Sequence, residues 1–132
     1  MPALYLDSSA IVKLVAAEAE SLALFDFIRT YAERLSSVLA RVEVRRAVRR
    51  AGGSAAERRR ADRVLARMAL VRIDDPIIAM ASQLRPIDLR SLDAIHLATA
   101  LSASDAIAGI VTYDARMARA AATARLEVFQ PR

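Results

Sequence analysis

Residues 3–15 read ALYLDSSAIVKLV. The four apolar residues at the start, Ala3 to Leu6, are the length of a buried strand and too few for a helix. Asp7, Ser8 and Ser9 interrupt the run. Their side-chain oxygens accept from unpaired backbone N–H groups, which makes these residue types favoured helix N-caps. Ile11, Val12, Leu14 and Val15 then carry a short helix. A strand running directly into a capped helix is the opening of a βα unit.

The rest of the chain repeats that step. Residues 20–32 (ESLALFDFIRTYA) predict a helix with Leu22, Phe25 and Ile28 on its inner face. Residues 34–38 (RLSSV) read as a strand, with Ser36 or Ser37 placed to cap a helix over 39–51 whose face is Val44, Ala47, Val48 and Ala51. Gly52-Gly53 breaks the chain. Ser54 and Glu57 form an S-x-x-E capping box for a helix with Ala61, Val64, Leu65 and Met68 inward. Residues 69–73 (ALVRI) are a strand, and Asp75-Pro76 starts a helix to about Leu84. Arg85-Pro86 ends it. Ser91 opens a helix, LDAIHLATALSA, apolar almost all round and therefore buried. Residues 109–112 (GIVT) form a strand, Asp114 caps ARMARAAATA, and LEVF at 126–129 closes the pattern. Strands alternating with helices imply an α/β fold of three layers, α/β/α, with a mostly parallel sheet of about five strands. The length of 132 residues predicts one domain, 1–132.

Composition narrows the chemistry. The apolar fraction is 55%, but 29 residues are alanine; Val, Ile, Leu, Met, Phe and Tyr still total 44, enough for one core. Cysteine is absent, which removes disulfides, thiol nucleophiles and thiolate zinc sites. A single histidine, His96, excludes a His-rich zinc site, and no GxSxG elbow accompanies it. Any metal is therefore held mainly by oxygen, which favours Mg²⁺ or Mn²⁺. No run of 18 apolar residues suggests a membrane span, the start lacks the basic region of a signal peptide, and the expected compartment is a bacterial cytoplasm.

Charge is uneven. Of 20 basic residues 19 are Arg, and the net charge is +5. Residues 41–72 carry 11 Arg against Glu43, Glu57 and Asp62, so the remainder is slightly acidic. A basic segment on an acidic body is a footprint for an anionic partner, or equally the solvated face of two surface helices.

In open parallel sheets the functional crevice lies beyond the carboxyl ends of the strands. Four acids fall there: Asp7 after the first strand, Glu43 early in the helix after RLSSV, Asp93 in the first turn of SLDAIHLATA, and Asp114 after GIVTY. Crowded carboxylates disfavour one another's ionisation unless a cation neutralises them, and hard divalent cations take such ligands. Each acid also has a plainer reading. Asp7 and Asp114 cap helices, Asp93 favours a helix dipole, and Glu43 pairs with Arg46 or Arg50. Asp93 is the hardest to dismiss, being set in an apolar helix. Asp74 and Asp75 are rivals, one of them explained by capping. His96 shares a face with Asp93 and either enters the pocket or is a hydrogen-bonded core residue. Ser9 and Thr112 are candidate pocket residues.

LYLDSSAIVKL, the acid in SSVLARVEVRRA, SLDAIHLATA and IVTYDARM together resemble the PIN-domain ribonucleases, and within them the VapC-type toxins of bacterial toxin–antitoxin pairs. The resemblance covers essentially the whole chain. It implies a PIN-like sandwich and a Mg²⁺- or Mn²⁺-dependent endoribonuclease leaving a 5′-phosphate and a 3′-hydroxyl. It makes Asp7, Glu43, Asp93 and Asp114 the catalytic acids, with Asp7 and Asp93 as direct metal ligands and Glu43 and Asp114 completing the pocket through metal or water. It also implies a cognate antitoxin, a homodimer with Leu35, Leu39 and Val42 as interface candidates, and heterotetramers or larger assemblies with antitoxin. Arg46 and Arg50 would meet RNA, while Arg60, Arg63 and Arg67, with neighbouring arginines, would serve RNA or an acidic antitoxin segment. The competing reading is a non-catalytic module that binds nucleic acid or a protein partner through the arginine-rich helices. Receiver-like and haloacid-dehalogenase-like readings fit poorly, because the stretch after the first strand is Asp7-Ser8-Ser9 and Lys13 is the only lysine.

Overall fold

A computed structural model describes residues 2–132. Twelve elements alternate as the sequence predicts: β1 (Ala3–Leu6), α1 (Ser8–Val15), α2 (Ser21–Ile28), β2 (Arg34–Ser37), α3 (Ala40–Arg50), α4 (Ala55–Ala66), β3 (Ala69–Val71), α5 (Asp75–Gln83), α6 (Ser91–Ser102), β4 (Ile107–Val111), α7 (Ala115–Thr123) and β5 (Val128–Phe129). The sheet has five strands in the order β3-β2-β1-β4-β5, and every neighbouring pair is parallel.

β1 occupies the centre, with β2 on one side and β4 on the other. The strand order reverses between β1 and β4, so a crevice opens beyond their carboxyl ends. Asp7 follows one of these strands and Thr112 to Asp114 follow the other. β1 is buried on both faces because alternate residues serve different layers. Leu4 and Leu6 pack with α1, α2, α3 and α4. Ala3 and Tyr5 pack with Leu97 of α6 and Met117 of α7. Full burial of one such Leu contributes about 1.5–3 kcal/mol. These two clusters are the interfaces between the sheet and the helical layers on its two faces.

Local signals hold in detail. Asp7 caps α1 and Asp114 caps α7. Ser54 and Glu57 make the reciprocal capping box of α4. The turn between α3 and α4 requires both glycines. Gly52 sits at φ +72°, and a Cβ on Gly53 would lie 2.5 Å from a Val48 methyl. Their N–H groups bond to Arg49 and Val48 carbonyls, a Schellman ending.

Some expectations fail. Leu22 is exposed, and Leu24 with Ile28 forms the buried face of α2. The stretch LALFDFI is apolar at too many positions for spacing to choose a face. Ala51 is exposed beyond the end of α3. The expectation that capping explains one of Asp74 and Asp75 holds: Asp74 caps α5, accepting from the Ile77 N–H. Leu35 is partly buried against the cluster beside α6 and α7, and Val42 is exposed. Among the described residues no helix is long and apolar enough to cross a membrane.

Candidate active site

Asp7 is nearly sealed, 4% exposed, where β1 gives way to α1. Its Oδ1 accepts from the Ala10 N–H at 3.1 Å and the Ser9 hydroxyl at 2.6 Å. Its Oδ2 accepts from the Thr112 hydroxyl at the end of β4. Ser9 Oγ in turn accepts from the Tyr113 N–H, and Thr112 Oγ1 from the Asp114 N–H. The two turns at the switch point are thereby stitched together. Burial pushes the Asp7 carboxyl above its ordinary value, and the Ser9 and Thr112 hydroxyls pull it back only in part.

Glu43 reaches the same crevice from α3. Its Oε1 lies 2.6 Å from His96 Nε2 and accepts from the Ser8 hydroxyl at 2.7 Å. The expected pairing with Arg46 or Arg50 is not made. Burial would raise the Glu43 carboxyl, but His96 and Ser8 outweigh it and hold it below the usual range. His96 is 2% exposed, and its Nδ1 lies 2.7 Å from the hydroxyl of buried Tyr5. Burial raises Tyr5, so the phenol stays protonated. A Tyr5 O–H donated to Nδ1 leaves the ring proton on Nε2, pointing at Glu43. His96 is therefore both a buried residue and a pocket residue.

Asp93 and Asp114 form the third group. Asp93 stands in the first turn of α6, and Asp114 Oδ1 accepts from the Met117 N–H at 2.9 Å. Arg90, at the N-cap of α6, spans them. Its Nε is 3.3 Å from Asp93 Oδ2 and its Nη2 is 3.6 Å from Asp114 Oδ2. Burial first, and then the charge of Asp114, raise the Asp93 carboxyl; Arg90 opposes them.

All four predicted acids line one pocket of about 290 Å³, with Ser8, Ser9, His96, Arg50 and Arg90. The rivals Asp74 and Asp75 are not among its lining residues. The predicted arginines divide. Arg50 lines the pocket. Arg46 and Arg67 are exposed outside it. Arg60 bonds the Leu14 carbonyl at 3.0 Å and lies over Phe25, and Arg60 and Arg63 line a separate hollow of about 630 Å³ beside α1 and α2.

The donor chemistry fits a hard divalent cation, since the pocket offers four carboxylates and no sulfur. Among the described residues, no three acidic or imidazole side chains are gathered tightly enough to form a ready-made metal cluster. The positive charge that the Asp93 and Asp114 pair requires is supplied here by Arg90. Arg90 and Tyr5 are the site residues that sequence reading missed. The spacing of Arg90 to Asp93, i to i+3, was the available signal for the first. Tyr5 meets His96 across 91 positions, and no local pattern announces that contact.

Residues 4–123 match the PIN domain family. The chain belongs to that family. Among curated PIN-family relatives, it is 48% identical over 131 residues to Ribonuclease VapC46 of Mycobacterium tuberculosis, covering 99% of each chain. It is 40% identical over 132 residues to Ribonuclease VapC35 of the same organism, covering 97% of this chain and 96% of the relative. Two solved structures share the PIN fold at a TM-score of 0.73. One is a toxin–antitoxin complex from Klebsiella pneumoniae, 18% identical and covering 98% of each chain. The other is Mycobacterium tuberculosis VapC20, described as a sarcin-ricin loop cleaving toxin, 14% identical and covering 97% of this chain and 99% of that one.

Proposed function

We propose that this PIN-domain chain is a Mg²⁺- or Mn²⁺-dependent endoribonuclease toxin, held in check by a cognate antitoxin in a bacterial cytoplasm. The observation that carries the reading is the convergence on one pocket of four acids from positions 7, 43, 93 and 114. The names of its relatives, ribonucleases of the VapC type, support the same activity. Asp7 and Asp93 are the residues that would hold the cation, with Glu43 and Asp114 completing the pocket. A bound divalent cation supplies a water of lowered pKa and charge stabilisation at the attacked phosphodiester.

The chain's own residues do the positioning. Asp7 is fixed through both oxygens by Ala10, Ser9 and Thr112, so its direction is set before any ligand arrives. Oδ2 accepts only the Thr112 hydroxyl, so it keeps a further lone pair to offer. His96 and Ser8 hold Glu43 ionised and aimed, which suits it to take a proton from a water in the pocket. Arg50 lies at the rim, placed to meet an RNA phosphate. The exposed arginines of α3 and α4 lend long-range attraction for RNA or for an acidic antitoxin segment. Homodimerisation, through an exposed surface including Val42, and larger assemblies with antitoxin belong to the same proposal.

The test is cleavage of total bacterial RNA by purified protein with Mg²⁺ or Mn²⁺, beside chelator and Asp7→Asn controls. Discrete fragments that disappear in both controls support it. RNA binding that persists in chelator with steep salt dependence, and no cleavage under any condition, would replace it with the non-catalytic binding module.

A further inference from the structure

Arg90 touches two of the four pocket acids at once, and little else holds it. Its backbone is extended, at φ −62° and ψ 148°, and its side chain makes no cap bond to α6. The side chain is 66% exposed, against 20% for Asp93 and 32% for Asp114. Its contacts of 3.3 and 3.6 Å are longer than the about 2.7–2.9 Å of a strong charge-assisted bond. An arginine so exposed and so loosely held can leave at little cost. Both carboxylates reach the same guanidinium, so its departure leaves two facing acids, each partly buried, open to another cation. Arg50, across the pocket, makes no ion pair with these acids among the described residues.

We propose that Arg90 is a displaceable counter-ion of the Asp93 and Asp114 pair and the phosphate-binding arm of the same pocket. A divalent cation and Arg90 compete for the two carboxylates. The guanidinium that is displaced then takes a non-bridging oxygen of the RNA phosphate, which its planar fork matches. The inference rests on the metal-dependent ribonuclease reading and adds a role that none of the acids can fill.

The experiment compares full-length wild type with Arg90→Gln and Arg90→Lys. Mn²⁺ binding to RNA-free protein is measured by titration calorimetry at fixed ionic strength, with circular dichroism in chelator as the fold control. KM and kcat are then measured at saturating Mn²⁺ on a labelled RNA 20-mer spanning a mapped cut site. Arg90→Gln should bind Mn²⁺ about three- to tenfold more tightly than wild type, the scale of one or two exposed ion pairs. Its KM for RNA should rise about tenfold, with a smaller change in kcat. Arg90→Lys should keep near-wild-type Mn²⁺ affinity and show an intermediate KM. Opposite movement of metal and RNA affinity is something a merely structural arginine would not give. Unchanged or weaker Mn²⁺ binding by Arg90→Gln overturns the counter-ion role, and an unchanged KM overturns the phosphate role. If wild type itself binds no Mn²⁺, the metal-site reading falls and this inference falls with it.

Discussion

The hydroxyl of Thr112 donates to the Asp7 carboxylate, joining the ends of the two central strands across 105 positions of sequence. The same oxygen accepts the Asp114 N–H at 3.2 Å. One buried hydroxyl thus orients an acid on β1 and shapes the turn that presents another. Thr112→Val keeps the shape and removes both bonds. It should lower unfolding free energy by about 1–3 kcal/mol, the cost of stranding a buried charged acceptor. Thr112→Ser should recover most of that. Denaturant unfolding of the three proteins checks it.

Tyr5→Phe should reduce RNA cleavage by about tenfold or more while leaving the protein folded. Without the phenol, His96 is free to place its ring proton on Nδ1, and Glu43 then keeps the Ser8 hydroxyl but loses its imidazole donor. Residues that orient a site acid through an intermediary typically act at the scale of about 10–100-fold. Steady-state cleavage rates, together with the ¹⁵N shifts of the imidazole, distinguish this from a general loss of structure. An unchanged tautomer beside reduced activity would refute the mechanism.

Lys13 bridges Glu18 at 2.5 Å and Glu20 at 2.7 Å. Burial would lower its pKa, but the two carboxylates outweigh that and raise it above 10.5, while Lys13 holds Glu20 below 4.5. The lysine contribution is complete below 10.5 and is lost as pH rises through the higher folded value. The Glu20 contribution is complete above 4.5 and is lost as pH falls through the lower folded value. Lys13→Met should therefore be less stable than wild type between those limits, and the difference should shrink in acid. Urea midpoints at pH 8, inside the window, and near pH 3, beyond its acid edge, each with wild type alongside, measure the change.

Gly53→Ala should destabilise by about 1–3 kcal/mol, because the added methyl overlaps Val48 and its carbonyl. Gly52→Ala meets open space but must hold φ +72°, so about 1 kcal/mol is expected there. Thermal melts of the two variants separate a steric cost from a backbone cost at adjacent positions.

The outline of the fold was legible because its signals are local. Asp7, Ser54 and Asp114 cap helices within three residues of themselves, and β1 announces itself as an apolar run cut by Asp7. The four acids were legible for a related reason: each follows a strand or opens a helix, and a parallel sheet sends those positions to one end. What could not be read was which partner each acid would find. Glu43 has arginines three and seven residues along its own helix, yet it turns to His96, 53 positions away. Val44 and Val48 anchor α3 against α1 and α4, and that packing leaves Glu43 at the crevice where His96 meets it. Leu22 was misplaced for the opposite reason, since α2 offers more apolar positions than the core can take.

Asp7 and Asp114 each commit one oxygen to a helix end, whereas Glu43 and Asp93 cap nothing. Inactivating substitutions arising in a cell under selection against this enzyme should accordingly sort into two kinds. Those at Asp7 or Asp114 loosen α1 or α7 as well as the chemistry, and proteolysis clears the product. Those at Glu43 or Asp93 leave the helix ends intact and accumulate as durable, silent copies that still occupy whatever protein restrains the active form.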